Sequence, residues 1–269
     1  MIFNEEFAPM TLGLSDLPQS DGDSDGRLAR AVQGPVERLG SGFMISPETV
    51  ALRSQTGLRG WEVYFAGRCG VLGEVDADVV TASVVFFPAQ RVRPLWEASR
   101  SVESRGQLVA RYAAAAHAWG RRRLAGFTQA ERLADLLEPL VAAAPATAAP
   151  LFAGWRALTL PADAPARVVH LLEVLREHRG AMHGVAVLAC GLTPLEAILA
   201  SPEGVEGARY FRWPDPFLTP GPTVRAARAR AEELTNILEG PVWGRLGDQA
   251  DECVSLLRAA DEHLAVTHE

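Results

Sequence analysis

Residues 166–189 read ARVVHLLEVLREHRGAMHGVAVLA, and this stretch decides the fold. An α-helix turns by about 100° per residue. At that angle the apolar side chains gather on one face of the helix: Val168, Leu171, Leu172, Leu175, Met182 and Ala186. The pattern predicts a long helix over 163–189 whose apolar face belongs to the core of a helical protein.

Two polar side chains, Arg179 and His183, project from this apolar face one turn apart. A buried arginine cannot lose its charge and must have a partner. That partner is either a protein group, which makes a structural ion pair, or the carboxylate or phosphate of a ligand. In the ligand interpretation His183 is a hydrogen-bond partner or a general acid/base. Arg179 and His183 are therefore the candidate catalytic residues.

The polar residues Glu177 and His178 fall towards the opposite side of this helix or its edge, and they are further candidate ligand contacts. Gly180 and Gly184 also stand inside it. Each glycine costs about 1 kcal/mol relative to alanine in a helix. Close packing of another element or the approach of a ligand would explain both glycines.

The sequence contains no lysine, so all 26 of its Lys+Arg residues are arginines. This excludes chemistry that needs a Schiff-base lysine, a P-loop lysine or the strand lysine of a protein kinase. A catalytic base must then be a histidine, a carboxylate or a tyrosine. An anion site must use guanidinium groups, which again draws attention to Arg179 and His183.

The length of 269 residues fits one large domain or two smaller ones. We predict a disordered arm over the acidic, turn-rich residues 1–26. An N-terminal helical domain over 27–145 and a C-terminal helical domain over 146–269 follow. The Pro/Ala-rich segment APATAAP at 144–150 is the best internal boundary.

Cysteine and histidine spacing, the lack of targeting patterns and the net charge favour a cytoplasmic protein without metal or cofactor. Cys69, Cys190 and Cys253 are widely spaced, which suits reduced thiols rather than disulfides or a zinc cluster. His178 and His183 are five residues apart and match no tight metal-ligand spacing. There is no signal-peptide pattern and no apolar run long enough to span a membrane. The net charge of −7 counts against nucleic-acid binding, although a local basic patch could survive.

Local signals predict further helices, and hence a mainly α, multi-helix bundle. SPE at 46–48 and TPLE at 193–196 are typical helix starts. TQAE at 128–131 has the spacing of a capping box. DADVVTASVVFF at 76–87 is β-branched, but its early aspartates favour a helix. We expect the proline-rich segment 201–222 to be irregular.

Aromatic residues could line a pocket near the Arg/His pair. Tyr64, Phe65 and Arg68 share helical spacing, and Phe86 precedes a Phe-Pro dipeptide. The alternative is that the aromatic side chains form core walls and that Arg68 caps a helix or reaches solvent past apolar neighbours. In the pocket interpretation all four are ligand-binding residues.

Three blocks of the sequence carry a resemblance to a known family. They are GLRGWEVYFAGRCGVLGEVDADVVTASVVFFPAQRV at 57–92, LREHRGAMHGVAVLACGLTPLEA at 175–197 and FLTPGPTVRAARARAEELTNILEGPVWGRLG at 217–247. The sequence resembles actinobacterial helix-turn-helix or winged-helix proteins of unknown function over most of 27–260. The resemblance implies a mostly helical protein with winged-helix-like units.

The departures from the family pattern bear on function. Ala181 replaces the Asp that follows the glycine of the EHRG block, and Gly40-Ser41-Gly42-Phe43 stands where relatives tend to have a histidine. The helix pair before the wing is compressed into RYFRWPDP at 209–216. A winged helix without its recognition helix cannot enter the major groove in the usual way.

Three functional hypotheses follow. The first is a protein that binds an anionic or apolar metabolite in an Arg/His pocket, with Arg179 as the anion anchor. If it is an enzyme of specialised metabolism, His183 serves as the acid/base. The second is a ligand-responsive winged-helix regulator that binds DNA. The third is an adaptor whose apolar helices form a homodimer.

Overall fold

A computed structural model describes residues 22–266 of the chain. The described part is helical and contains no strand, so no β-wing accompanies its helices. The α-helices are α1 Gly22–Ser41, α2 Pro47–Thr56, α3 Gly60–Cys69, α4 Ala77–Val84, α5 Ala89–Ala98, α6 Arg105–Arg123, α7 Ala130–Ala143, α8 Pro150–Arg156, α9 Ala164–Ala189, α10 Pro194–Leu199, α11 Gly204–Tyr210, α12 Pro222–Trp243 and α13 Ala250–Val266. Short 3-10 helices stand at Gly42–Ile45, Gly70–Leu72 and Gly244–Gln249. The prediction of a mainly α bundle is confirmed.

Helix α9 is central, because α1, α6, α7, α8 and α12 all pack against it. Asp163 caps its N-terminus by accepting a hydrogen bond from the Ala166 N–H at 3.2 Å. A neighbouring glycine permits close approach of α1: a Cβ at Gly40 would lie 2.9 Å from the carbonyl oxygen of Leu172. Gly40 therefore lies within α1 and permits its close packing on α9.

The side of α9 opposite its apolar face is buried as well. His170, Glu173 and Glu177 on that side are buried, and so is His178 at the edge of the apolar face. Buried polar groups are stable only when they are hydrogen-bonded, and buried charges only when they are paired. The fold therefore has to supply partners for a row of polar side chains along its central helix.

The local start signals hold at three helices. Ser46 accepts a hydrogen bond from the Thr49 N–H at 3.4 Å, and Asp76 accepts one from the Asp78 N–H at 2.9 Å. Thr193 and Glu196 form a reciprocal capping box. These motifs predict helix starts correctly because the capping residue and the N–H group that it caps are close neighbours in the chain.

Three predictions about where helices lie were wrong. Helix α1 begins at Gly22, so 22–26 is helical rather than part of an arm; the rest of the predicted arm, 1–21, lies outside the described residues. Helix α7 begins at Ala130 with no side-chain capping bond, so Thr128 does not start it. Segment 201–222 contains α11. The prolines of this segment lie before and after 204–210, so these residues are free to form a helix.

The core runs through both halves of the chain. The largest apolar cluster joins side chains from before and after 144–150, among them Leu133 and Leu171, and Ala144 and Ala149 within that segment are buried. The division into two domains stays a prediction. No helix within residues 22–266 has the length and apolar character needed to cross a membrane.

Candidate functional site

A cavity of about 740 Å³ lies beside the C-terminal half of α9. Helices α1, α3, α10, α11 and α12 and the loop between α4 and α5 complete its wall. Of the residues singled out from the sequence, Arg68, Phe86, Arg179 and His183 line it. The remaining four do not: Tyr64, Phe65, Glu177 and His178.

Arg179 lies in the wall of the cavity and contacts protein groups on one side. Its Nη1 donates to Asn236 Oδ1 at 3.1 Å, and its Nη2 reaches Glu232 Oε2 at 3.5 Å, the limit for a hydrogen bond. A guanidinium carries five N–H donors, so most of the hydrogen-bonding capacity of Arg179 is unused among the described residues. Burial lowers the pKa of Arg179, against the charges of Glu239 and Glu232, and the group stays charged at neutral pH.

Glu232 and Arg228 of α12 stand next to this arginine. Arg228 Nη1 donates to Glu232, and Arg228 Nε donates to the carbonyl oxygen of Ala197 in α10 at 3.1 Å. Burial acts to raise the pKa of Glu232, but the Arg228 hydrogen bond and the nearby positive charges lower it overall. Arg179, His183, Arg228 and Glu232 together are called the cavity cluster below.

His183 is neutral at pH 7. Burial lowers its pKa to about 4, assisted by the charges of Arg228 and Arg179 and opposed by Glu232. Its Nδ1 lies 2.9 Å from Thr235 Oγ1. The ring of Phe86 stacks on the imidazole with centroids 5.3 Å apart and an interplanar angle of 27°.

A tight turn holds Phe86 in this place. Val85 has φ 49° and ψ −57°, and the Phe86 N–H donates to the Val84 carbonyl at 2.5 Å, which makes a γ-turn. This backbone is strained for a β-branched residue. Gly184 accommodates it, because a Cβ there would lie 2.8 Å from Val85 Cγ2. The carbonyl of Phe86 also accepts a hydrogen bond from Trp213 Nε1 at 2.9 Å.

A second charged group, called the inner cluster here, comprises Arg68, Glu173, Arg176 and Glu177. Arg68 Nε and Nη2 donate to the two oxygens of Glu177 at 2.5 and 2.8 Å, and Arg68 Nη1 donates to the Tyr64 hydroxyl at 2.6 Å. Arg176 Nη1 lies 3.4 Å from Glu173 and 3.3 Å from Glu177. Burial raises the pKa of Glu173 well above its ordinary value, against the positive charges of Arg176 and Arg68.

The other sequence candidates lie inside the protein. His178 Nδ1 lies 2.5 Å from Glu239, and its Nε2 lies 3.2 Å from the carbonyl oxygen of Pro145. Phe65 is fully buried in an apolar cluster with Trp96 and Leu151. These contacts tie elements of the fold together rather than face the cavity.

Sequence reasoning missed Arg176, Arg228, Glu232 and the α11 wall. The i,i+4 spacing of Arg228 and Glu232 on α12 predicts that they pair, but nothing in the sequence places that pair beside Arg179. Within the described part of the chain, no three His, Cys, Asp or Glu side chains are grouped to hold a metal ion.

Comparison with known proteins defines the class. The model of a helix-turn-helix family matches residues 29–221, which is more than half of the chain. The protein therefore belongs to this helix-turn-helix family. Neither a curated protein nor a solved structure matches the chain. The match ends just before α12, so it includes Arg179 and His183 but neither Arg228 nor Glu232.

Proposed function

We propose that the protein binds a small amphipathic molecule in the cavity and holds the acidic group of that molecule with Arg179 and Arg228. The observation that carries the proposal is the incomplete hydrogen bonding of Arg179, which lines the cavity and has a carboxylate partner only at 3.5 Å. A carboxylate or phosphate could form two parallel hydrogen bonds with this planar group.

Cavity size and lining support the same proposal. Ligand pockets commonly measure about 300–1,000 Å³ and combine apolar walls with a few polar groups. At about 740 Å³ the cavity falls in this range. Phe86, Ile198, Tyr210 and Phe211 contribute apolar surface to the lining of the cavity. If the ligand is a substrate, the neutral His183 is the group available to accept a proton from it.

Isothermal titration calorimetry with aromatic carboxylates tests the proposal, with 3-phenylpropanoate and phenyl phosphate as first probes. We expect saturable binding that Arg179→Met weakens by about tenfold or more, since a charge-assisted hydrogen bond is lost. Arg132→Met is the matched control, because Arg132 pairs with Glu252 on the exposed surface. Equal binding by wild type and Arg179→Met would contradict the assignment.

A second candidate is a ligand-responsive regulator that binds DNA. The family match supports it, and α11 supplies Glu206, Gly207 and Tyr210 to the cavity wall, so a ligand would touch the second helix of the short α10–α11 pair. Base recognition by α11 is disfavoured, because this helix has seven residues and its Glu206 pairs with Arg209 at 2.7 Å.

Fluorescence anisotropy with duplexes from the upstream region of the gene separates the two candidates. At moderate salt we expect no sequence-specific binding, with or without a bound acid. Saturable binding that a cavity ligand alters would instead establish the regulator. The predicted cytoplasmic location and homodimer stay predictions.

A further inference from the structure

The hydrogen bonds behind His183 determine which of its nitrogens carries the proton. Thr235 is fully buried, and its hydroxyl lies 2.7 Å from the carbonyl oxygen of Ala231, the preferred length for an O–H···O bond. A threonine hydroxyl has one proton to donate. Since that proton goes to Ala231, Thr235 Oγ1 is an acceptor towards His183.

His183 Nδ1 must then be the donor of the 2.9 Å contact with Thr235 Oγ1. A neutral imidazole carries one proton, so Nε2 is left with a lone pair. The distance from Nε2 to Glu232 Oε1 is 3.9 Å, too long for an N–H donor bond between them. Two acceptors therefore face each other beside the cavity, and no described residue donates to Nε2.

From this geometry we infer that the cavity selects a ligand that carries a hydrogen-bond donor, such as a hydroxyl or N–H group, close to its acidic group, and that His183 is the residue that determines this specificity. The inference rests on the proposed function. A ligand donor between His183 and Glu232 would satisfy the Nε2 acceptor, which has no hydrogen-bond partner among the described residues. A ligand without such a donor would displace water from this acceptor without replacing its hydrogen bond, which lowers affinity. Arg179 contacts the same Glu232, so the acidic group and the donor of the ligand would lie near each other.

The protonation of His183 can be measured on the ligand-free protein. Long-range ¹H–¹⁵N correlation spectra of the ¹⁵N-histidine-labelled chain at pH 7 should show His183 as the Nδ1–H tautomer, with its signals identified by their absence in His183→Gln. An Nε2–H tautomer or a charged imidazolium at this pH would overturn the inference.

Matched probes test the specificity. We expect 3-phenyllactate, which carries a hydroxyl beside its carboxylate, to bind about tenfold more tightly than 3-phenylpropanoate or the O-methyl ether of phenyllactate, the gain from one hydrogen bond. His183→Gln keeps an acceptor near the Nε2 position and should retain the preference, whereas His183→Leu should abolish it. Equal binding of the three probes to the wild type would overturn the inference.

Thr235→Val supplies a further variant should His183→Leu fail to fold. It removes the acceptor for Nδ1–H, so the fixed tautomer and the preference for the hydroxy acid should both weaken. If none of the probes binds the wild type, the proposed function and the specificity inferred from it both fail for aromatic acids, while the tautomer in the ligand-free protein separately tests the hydrogen-bond geometry of His183.

Discussion

The inner cluster and the cavity cluster each combine arginine and glutamate side chains of helix α9 and of a second helix, α3 or α12, but protein partners satisfy the inner cluster more fully than the cavity cluster. Glu177 has a side chain 1% exposed and receives two hydrogen bonds from Arg68, the shorter at 2.5 Å. Glu232 is 35% exposed, and Arg179 reaches it only at 3.5 Å. Both arginines of the first cluster pair with buried carboxyl groups, although Glu173 Oε1 has no hydrogen-bond partner among the described residues, whereas the second cluster retains donors and acceptors that face the cavity. Geometry, and not residue type, therefore separates a structural ion pair from a candidate ligand site.

Breaking the inner cluster should have the largest effect. Glu177→Gln leaves the Arg68 charge buried without its carboxylate, and loss of one partner of a buried pair costs about 3–5 kcal/mol. Urea denaturation at pH 7 would measure the fall in the free energy of unfolding. Glu232→Gln is the matched control and should cost about 1 kcal/mol, as expected of a partly exposed pair. Equal losses in the two variants would remove the distinction between the clusters.

The cavity cluster should also give stability a pH dependence. The pKa of His183 is about 4 in the folded chain against an ordinary value of 6.5. Between these values the unfolded chain binds a proton that the folded chain does not, so the free energy of unfolding falls as the pH falls from 6.5 to 4. Below pH 4 both forms are protonated and this loss stops. The total loss is about 3 kcal/mol.

His183→Gln should remove this contribution, since glutamine does not titrate. The measurement is the difference between wild type and His183→Gln in the free energy of unfolding at pH 7 and pH 4.5, which cancels titrations common to both proteins. Parallel pH profiles for the two proteins would show that His183 is not held neutral by the fold.

The fold was largely accessible from the sequence, because its signals are local. The apolar pattern placed the central helix at 163–189, and α9 runs from Ala164 to Ala189. Caps at Ser46 and Thr193 depend on residues three positions away. Helix α11 was missed because the high proline content of 201–222 was taken to exclude a helix from the whole segment, although the prolines lie only outside 204–210.

The site was accessible only in part. A helical projection brings Arg179 and His183 together, since both lie on one helix. The projection cannot show that α12 places Glu232 near this pair. Nor can it show that Arg68 of α3 pairs with Glu177, or that Glu239 of α12 contacts His178. Such partners lie about fifty residues or more away in the chain, and only packing determines them. Whether Arg179 and His183 bind a ligand stays a prediction.

Two glycines of α9 permit a smaller test of the cavity wall. Gly184→Ala should destabilise the protein by about 1–3 kcal/mol through overpacking, because the added Cβ meets Val85 Cγ2 at 2.8 Å and displaces the turn that holds Phe86. Gly180→Ala has nothing within 4 Å and should stabilise the helix by about 0.5–1 kcal/mol. Thermal melts would compare the two, and equal shifts in one direction would argue against the γ-turn contact.

The smallest expected effect on stability belongs to Arg179→Met. Arg179 contributes one bond to a neutral amide and one contact at 3.5 Å, and Glu232 keeps Arg228 when Arg179 is removed. Methionine replaces much of the aliphatic stem, so the free energy of unfolding should change by about 1 kcal/mol or less. Circular dichroism in urea would measure it beside Glu177→Gln. A loss as large as that of Glu177→Gln would make Arg179 a structural residue, whereas a stable variant that no longer binds acids would assign its charge to the ligand.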